Sequence, residues 1–190
     1  MANKFWRLSA ALLFLCLSLM SGSATAQVRV GVMTMQPGEI FWERFGHNAI
    51  VIDDGKQAIS YNFGFFDPSE PDFVGNFIKG RMNYILAALP LEQDLAYYRE
   101  SGRGVSIQWL NLSTAQTETI NTRLQFLARP ENAHYRYEYF TNNCATKVRD
   151  VLDEALAGEL NKQLTASSHG NTYRSESVRL AWPAKWMAMG

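Results

Sequence analysis

Cys144 stands in Thr141-Asn142-Asn143-Cys144-Ala145-Thr146, where a stretch of helical periodicity begins. A thiol at that point can act as a nucleophile. With Asn143 or Asn142 as N-cap, the unpaired N–H groups and dipole of the first turn favour a thiolate over the usual thiol, whose pKa is ~8.5. The same groups, from Cys144 and Ala145, can stabilise the oxyanion formed when sulfur attacks a carbonyl. The plainer alternative is a small buried hydrophobe, a common role for free cysteine.

A thiol nucleophile needs a base, and the chain has three histidines, His47, His134 and His169. His169 falls in a polar stretch and reads as exposed. His134 opens a strand shortly before Cys144 and reads as structural or exposed. His47 follows Phe45-Gly46 and begins a β-branched run, so one side of a sheet can aim its imidazole at a helix N-terminus. Asp54-Gly55 between two such runs is a hairpin signal. A two-residue turn there pairs Asp53 with Lys56 and puts Asn62 directly opposite His47, on the same face. Asn62 can then orient the ring and set its tautomer. A slip of one residue would put Tyr61 in that role instead. Thiol, imidazole and amide together form the Cys-His-Asn arrangement of papain-like enzymes, here in the order His, Asn, Cys; such sites are recognised by geometry rather than chain order. No pair of His, Cys or carboxylates has the short spacing of a zinc site. A Cys-His mechanism needs no cofactor, and none is expected.

The elements that must hold these residues begin after a secretory signal. Lys4 and Arg7 precede an apolar run from Leu8 to Met20, and Ala24-Thr25-Ala26 is a cleavage site, so residues 1–26 read as a signal peptide and 27–190 as one domain. Cleavage removes Cys16 and leaves Cys144 as the one thiol, in a compartment where disulfides persist. It also removes two of the 18 Lys and Arg and none of the 18 Asp and Glu, for a mature charge of about −2. With no basic patch, nucleic acid is not an expected partner.

Strands are expected over Val28–Met35, His47–Asp53, Lys56–Phe63, Arg81–Ala88, Gly104–Leu112 and His134–Phe140. Asp72 caps a short helix ending near Lys79, Pro90 precedes a helix over Leu91–Glu100, and Ser113 with Gln116 forms a capping box for a helix that Arg129-Pro130 ends. A last helix runs over Cys144–Ala157, with Gly158 as its C-cap. The tail passes through a polar stretch to Trp182 and Trp186. Hairpin-type strands mixed with helices point to an α+β fold with an antiparallel sheet packed against helices.

Three blocks carry a resemblance over about Phe41 to Arg174: Phe41-Trp42-Glu43-Arg44-Phe45-Gly46-His47-Asn48-Ala49, then Tyr61-Asn62-Phe63-Gly64-Phe65-Phe66-Asp67 with Phe73 to Tyr84, then Tyr135 to Thr146; Thr172-Tyr173-Arg174 adds a smaller late motif. In this order they resemble the Lnb N-terminal periplasmic domain family. The resemblance implies a circularly permuted papain-like fold, akin to NlpC/P60-like and lecithin:retinol acyltransferase-like proteins, with a Cys-His site on Cys144 and His47. It further implies work on acyl groups, since the namesake branch is associated with lipoprotein N-acylation.

The expected function is a periplasmic cysteine-dependent acyltransferase or hydrolase. Cys144 forms an acyl-enzyme, His47 serves as base and then acid, Asn62 orients His47, and Asn143 and Ala145 supply the helix cap and oxyanion donor. A phospholipid or lipoprotein ester suits the aromatics Phe41, Trp42, Phe65 and Phe66, and with it association with a membrane surface; ordinary core packing is the alternative for each of them. The same residues serve a peptidoglycan amidase or endopeptidase, whose cell-wall peptide would want a polar groove. A non-catalytic envelope binding or assembly domain would bury Cys144 or part it from His47.

Overall fold

The computed structural model describes residues 27–40, 43–66, 71–166 and 170–181. The expected signal peptide, Phe41, Trp42, Asp67, His169, Trp182 and Trp186 lie outside the described residues. The fold is α+β. Strands β1 (Arg29–Met35), β2 (His47–Asp53), β3 (Ala58–Phe65), β4 (Asn83–Pro90), β5 (Val105–Trp109) and β6 (His134–Arg136) form one antiparallel sheet in the order β5-β1-β2-β3-β4-β6.

The β2–β3 connection departs from the expected two-residue turn. Asp53 pairs with Ala58, leaving a loop of residues 54–57. The cause is local: the Asp54 carboxylate accepts from the backbone N–H groups of Lys56 and Gln57, each at 2.8 Å, and the Asp54 N–H donates to the Gln57 carbonyl at 3.2 Å. An Asx turn thus widens the hairpin. Asn62 pairs with Ala49 rather than His47. Because the shift is two residues and not one, every side chain stays on its expected face. Continuing the ladder puts His47 opposite Gly64, where an added Cβ would stand 2.7 Å from the imidazole Cε1. Only a residue without a side chain leaves the ring that space.

Helix α1 (Phe73–Ile78) precedes β4, and α2 (Leu91–Glu100) follows it directly. Next come α3 (Thr114–Leu127), with the Ser113/Gln116 capping box in place, then α4 (Cys144–Ala155), α5 (Glu159–Thr165) and α6 (Tyr173–Ala181). The expected strand to Phe140 stops at Arg136. Beyond it the chain turns, with Glu138 and Asn142 exchanging backbone hydrogen bonds at 3.0 and 3.2 Å. Of the aromatics beyond Arg136, Tyr137 lines a cavity while Tyr139 and Phe140 are exposed. α4 ends at Ala155, and Gly158 at φ +84° is the N-cap of α5, so the polar tail begins with a helix.

The two faces of the sheet are packed differently. On one, Val30, Ile50, Ile52, Tyr61 and Phe63 meet Ile120 and Leu124 of α3 and Val148, Val151 and Leu152 of α4. On the other, Met33, Met35, Ala49 and Val51 meet Leu91 and Tyr98 of α2. The site forms where β2 begins and β3 ends, between the N-terminus of α4 and the body of α2.

Candidate active site

The turn before α4 is tied down before the helix starts. Asn142 Nδ2 donates to the Arg136 carbonyl (2.6 Å) and Asn143 Nδ2 to the Tyr139 carbonyl (2.8 Å). Asn143 then caps the helix: its Oδ1 accepts from the Thr146 N–H (3.0 Å), and Thr146 Oγ1 accepts from the Asn143 N–H (2.8 Å). This reciprocal cap uses the N–H of the third helical residue. The N–H groups of Cys144 and Ala145 remain, and both bear on the Cys144 sulfur. A third donor, the backbone N–H of Asn48 beside His47, bears on it as well.

Burial pushes the Cys144 pKa up, and these three donors offset only part of that rise. The expectation of a thiolate favoured by the helix start is therefore corrected. The helix contributes as expected, but removing the sulfur from water weighs more. Cys144 is a free, half-buried thiol.

His47 lies on the α2 face of β2. Its Nε2 is 3.2 Å from Asn62 Oδ1. Burial is the main cause that lowers its pKa, to about 4, against the opposing pull of the Asn62 hydrogen bond and the nearby Asp94 charge. At neutral pH the ring is uncharged. Asn62 is fully buried (0 % exposed), and its Nδ2 donates to Asp94 Oδ2 at 2.8 Å and to Ser60 Oγ at 3.2 Å. Ser60 Oγ donates to the same Asp94 oxygen at 2.7 Å. Asp94 comes from α2 and is only 3 % exposed. A buried chain therefore runs from carboxylate to amide to imidazole.

Cys144, His47 and Asp94 line a common cavity of about 460 Å³, within the usual range for a small-molecule site. One end is aromatic, with Phe65, Phe66, Tyr84 and Tyr137; Tyr84 and Tyr137 stack at 4.1 Å and Phe66 tilts against Tyr84 at 5.2 Å. The other end is polar. There Arg103 Nη1 pairs with Glu43 Oε1 at 3.2 Å, Tyr97 donates to the same oxygen at 3.3 Å, and Arg103 Nε donates to the Gln36 carbonyl at 2.9 Å. Among the described residues no group of three or more His, Cys, Asp or Glu could hold a metal ion.

Cys144 and His47 therefore share one cavity, Asn62 hydrogen-bonds His47, and Asn143 and Ala145 stand at the helix start. His134 is exposed on β6, away from the cavity lining. A family model described as the Lnb N-terminal periplasmic domain matches residues 21–180. The chain belongs to that family. No curated protein and no solved structure gives a match.

Membership in the Lnb N-terminal periplasmic domain family assigns the chain to the periplasm or cell envelope. No helix among the described residues is long and apolar enough to cross a membrane. Several residues of this Lnb domain's site escaped sequence reasoning: Asp94, Ser60, the Asn48 N–H and the Glu43–Arg103 pair. Asp94 had a signal. Leu91, Asp94, Leu95 and Tyr98 follow i, i+3, i+4, i+7 spacing, so a carboxylate sits on an otherwise apolar helical stripe. The Asn48 donor had none, because a backbone N–H carries no side-chain signature.

Proposed function

We propose that this domain is a periplasmic cysteine-dependent acyltransferase or hydrolase that works through a Cys144 acyl-enzyme. The supporting observation is the shared cavity in which a capped helix N-terminus presents Cys144 beside the β2 start carrying His47, itself hydrogen-bonded to Asn62. The fold belonging to this reading is circularly permuted papain-like, and the chain reaches its compartment by cleavage of residues 1–26.

In the resting site both partners are neutral, since burial raises the thiol and lowers the imidazole. Attack is therefore general-base catalysed. As sulfur bonds to the acyl carbon, its proton passes to His47 Nδ1, and the carbonyl becomes an oxyanion held by the N–H groups of Cys144, Ala145 and Asn48. Collapse breaks the bond to the leaving alcohol or amine, which takes the proton from Nδ1 and leaves a thioester. An amine or water then attacks the thioester and delivers its proton to Nδ1. Sulfur leaves and is reprotonated.

The aromatic end of the cavity favours an acyl chain of a phospholipid or lipoprotein over a cell-wall peptide. Incubation with long-chain and short-chain p-nitrophenyl esters, followed by intact mass measurement, tests this. The expected result is one acyl adduct at Cys144, formed faster from the long chain and absent in Cys144→Ala. Absence of any adduct, with cleavage of muropeptides instead, would overturn the acyl reading in favour of an amidase. Inertness to both would leave a binding domain.

A further inference from the structure

Asp94 is an anomaly on its own helix. Leu91 and Tyr98 on the same stripe of α2 pack into the apolar cluster under the sheet, yet between them stands a carboxylate that is 3 % exposed. Burying a charge is costly unless hydrogen bonds compensate it. Its donors are the hydroxyl of Ser60 (2.7 Å) and the amide of Asn62 (2.8 Å).

Those distances determine which way the Asn62 amide points. The two ends of an amide are nearly equal in shape, so its neighbours choose its orientation. An ionised carboxylate only accepts hydrogen bonds. The single Ser60 hydroxyl proton goes to an acceptor other than Asn62, Asp94 at 2.7 Å or the Leu89 carbonyl at 3.4 Å, so Ser60 Oγ presents lone pairs to Asn62 at 3.2 Å. Both acceptors demand the NH₂ end. Turning the amide over would set Asn62 Oδ1 against Asp94 Oδ2 at the 2.8 Å now spanned by a hydrogen bond. With Nδ2 held there, Oδ1 faces His47 Nε2. Nε2 must then carry the ring proton, and the Nδ1 lone pair is left free. The opposite tautomer would leave no lone pair on Nδ1 to accept a proton.

We infer that Asp94 is a positioning residue for the Cys144–His47 pair: through the Asn62 amide it locks His47 as the Nε2–H tautomer. The proposal rests on the acyl-transfer reading for its purpose, but its deciding readout is the imidazole tautomer, with the adduct rate as a second. Asp94 touches neither reacting atom. Its effect travels through one amide.

The test is a long-range ¹H–¹⁵N spectrum of the mature protein with ¹⁵N-labelled histidine, at pH 7, with a His47→Gln sample to assign the resonance. The wild type should show His47 as a single Nε2–H tautomer. Asp94→Asn can donate to Asn62 Oδ1 and so permits the amide to turn over. It should lose the single-tautomer signature, as should the smaller Asp94→Ser, and both should form the Cys144 adduct at least roughly tenfold more slowly. Asp94→Glu, which retains the acceptor, should recover the signature in part. A wild-type His47 that is Nδ1–H or mixed overturns the proposal. So does a folded Asp94→Asn or Asp94→Ser that keeps the single Nε2–H form. A wild type locked as Nε2–H, lost in the variants, that never acylates would remove the acyl-transfer reading and leave the role of Asp94 in place.

Discussion

The two faces of this sheet are built from the same strands but obey different rules. Against α3 and α4 the packed residues are apolar apart from Thr117, and Ile50, Ile120 and Leu124 are 0 % exposed. Against α2 the strands carry Ser60 and Asn62, equally buried, and the helix answers with Asp94. The first face is close-packed and non-directional, so its energy follows the apolar area removed from water. The second is directional: each polar group has a partner at 2.7–3.2 Å, and losing one strands the others. One face supplies stability and the other supplies orientation. Cys144 joins them, since its helix packs on the apolar face while its sulfur opens into the cavity of the polar one.

That division predicts separable effects. Leu124→Ala removes a fully buried side chain that does not line the cavity. It should cost about 2–5 kcal/mol of unfolding free energy, measured by urea titration, while the Cys144 acylation rate of the folded fraction stays at the wild-type value. A parallel fall in that rate would erase the distinction between the faces.

The polar face should reveal itself through pH. Burial lowers His47 from 6.5 to about 4 in the folded protein, so between those values the unfolded chain binds more protons and stability falls as pH falls. Above the unfolded value the ring contributes no slope. The loss should reach about 3 kcal/mol at most below pH 4, at 1.36 kcal/mol per unit. His47→Gln should flatten this part of the stability curve, compared from pH 7 to 4.5 by chemical denaturation. Superimposable slopes for the two proteins would mean that the ring is solvated.

The smallest perturbation is one methyl group. A Cβ at position 64 would lie 2.7 Å from His47 Cε1, so Gly64→Ala must displace the ring from Asn62. It should slow acylation by roughly tenfold or more, since an ångström of misplacement is costly in a positioned site, with stability changed by less than about 1 kcal/mol. A Gly64→Ala variant that is unstable but reacts normally would assign Gly64 to packing instead.

Much of the site was legible from residue types. A cysteine at a capped helix start, a histidine opening a strand and an asparagine on the paired strand each carry a local signal, as does the Ser113/Gln116 capping box. The hairpin shows how such reading survives an error. The turn is four residues long because Asp54 captures two N–H groups, yet Asn62 still reaches His47, diagonally from its place opposite Ala49, because a two-residue shift preserves parity. The strand expected to run to Phe140 failed for a different reason. Alternating aromatics read alike whether the backbone continues a ladder or turns away from it, as it does here between Glu138 and Asn142.

By itself the sequence determined the α+β character, the order of nearly every element, and the shared sheet face of His47 and Asn62, since these follow from periodicity, caps and face parity within short stretches of chain. Only the tertiary structure decided the rest. Asp94 lies 32 residues beyond Asn62 and meets it because α2 folds back across the sheet. The Asn48 N–H reaches a sulfur carried on a helix that starts far later in the chain. The balance of charge at Cys144 was decided there too. A helix start favours the thiolate wherever it occurs, but how much water is removed from the sulfur depends on what the whole fold packs around it.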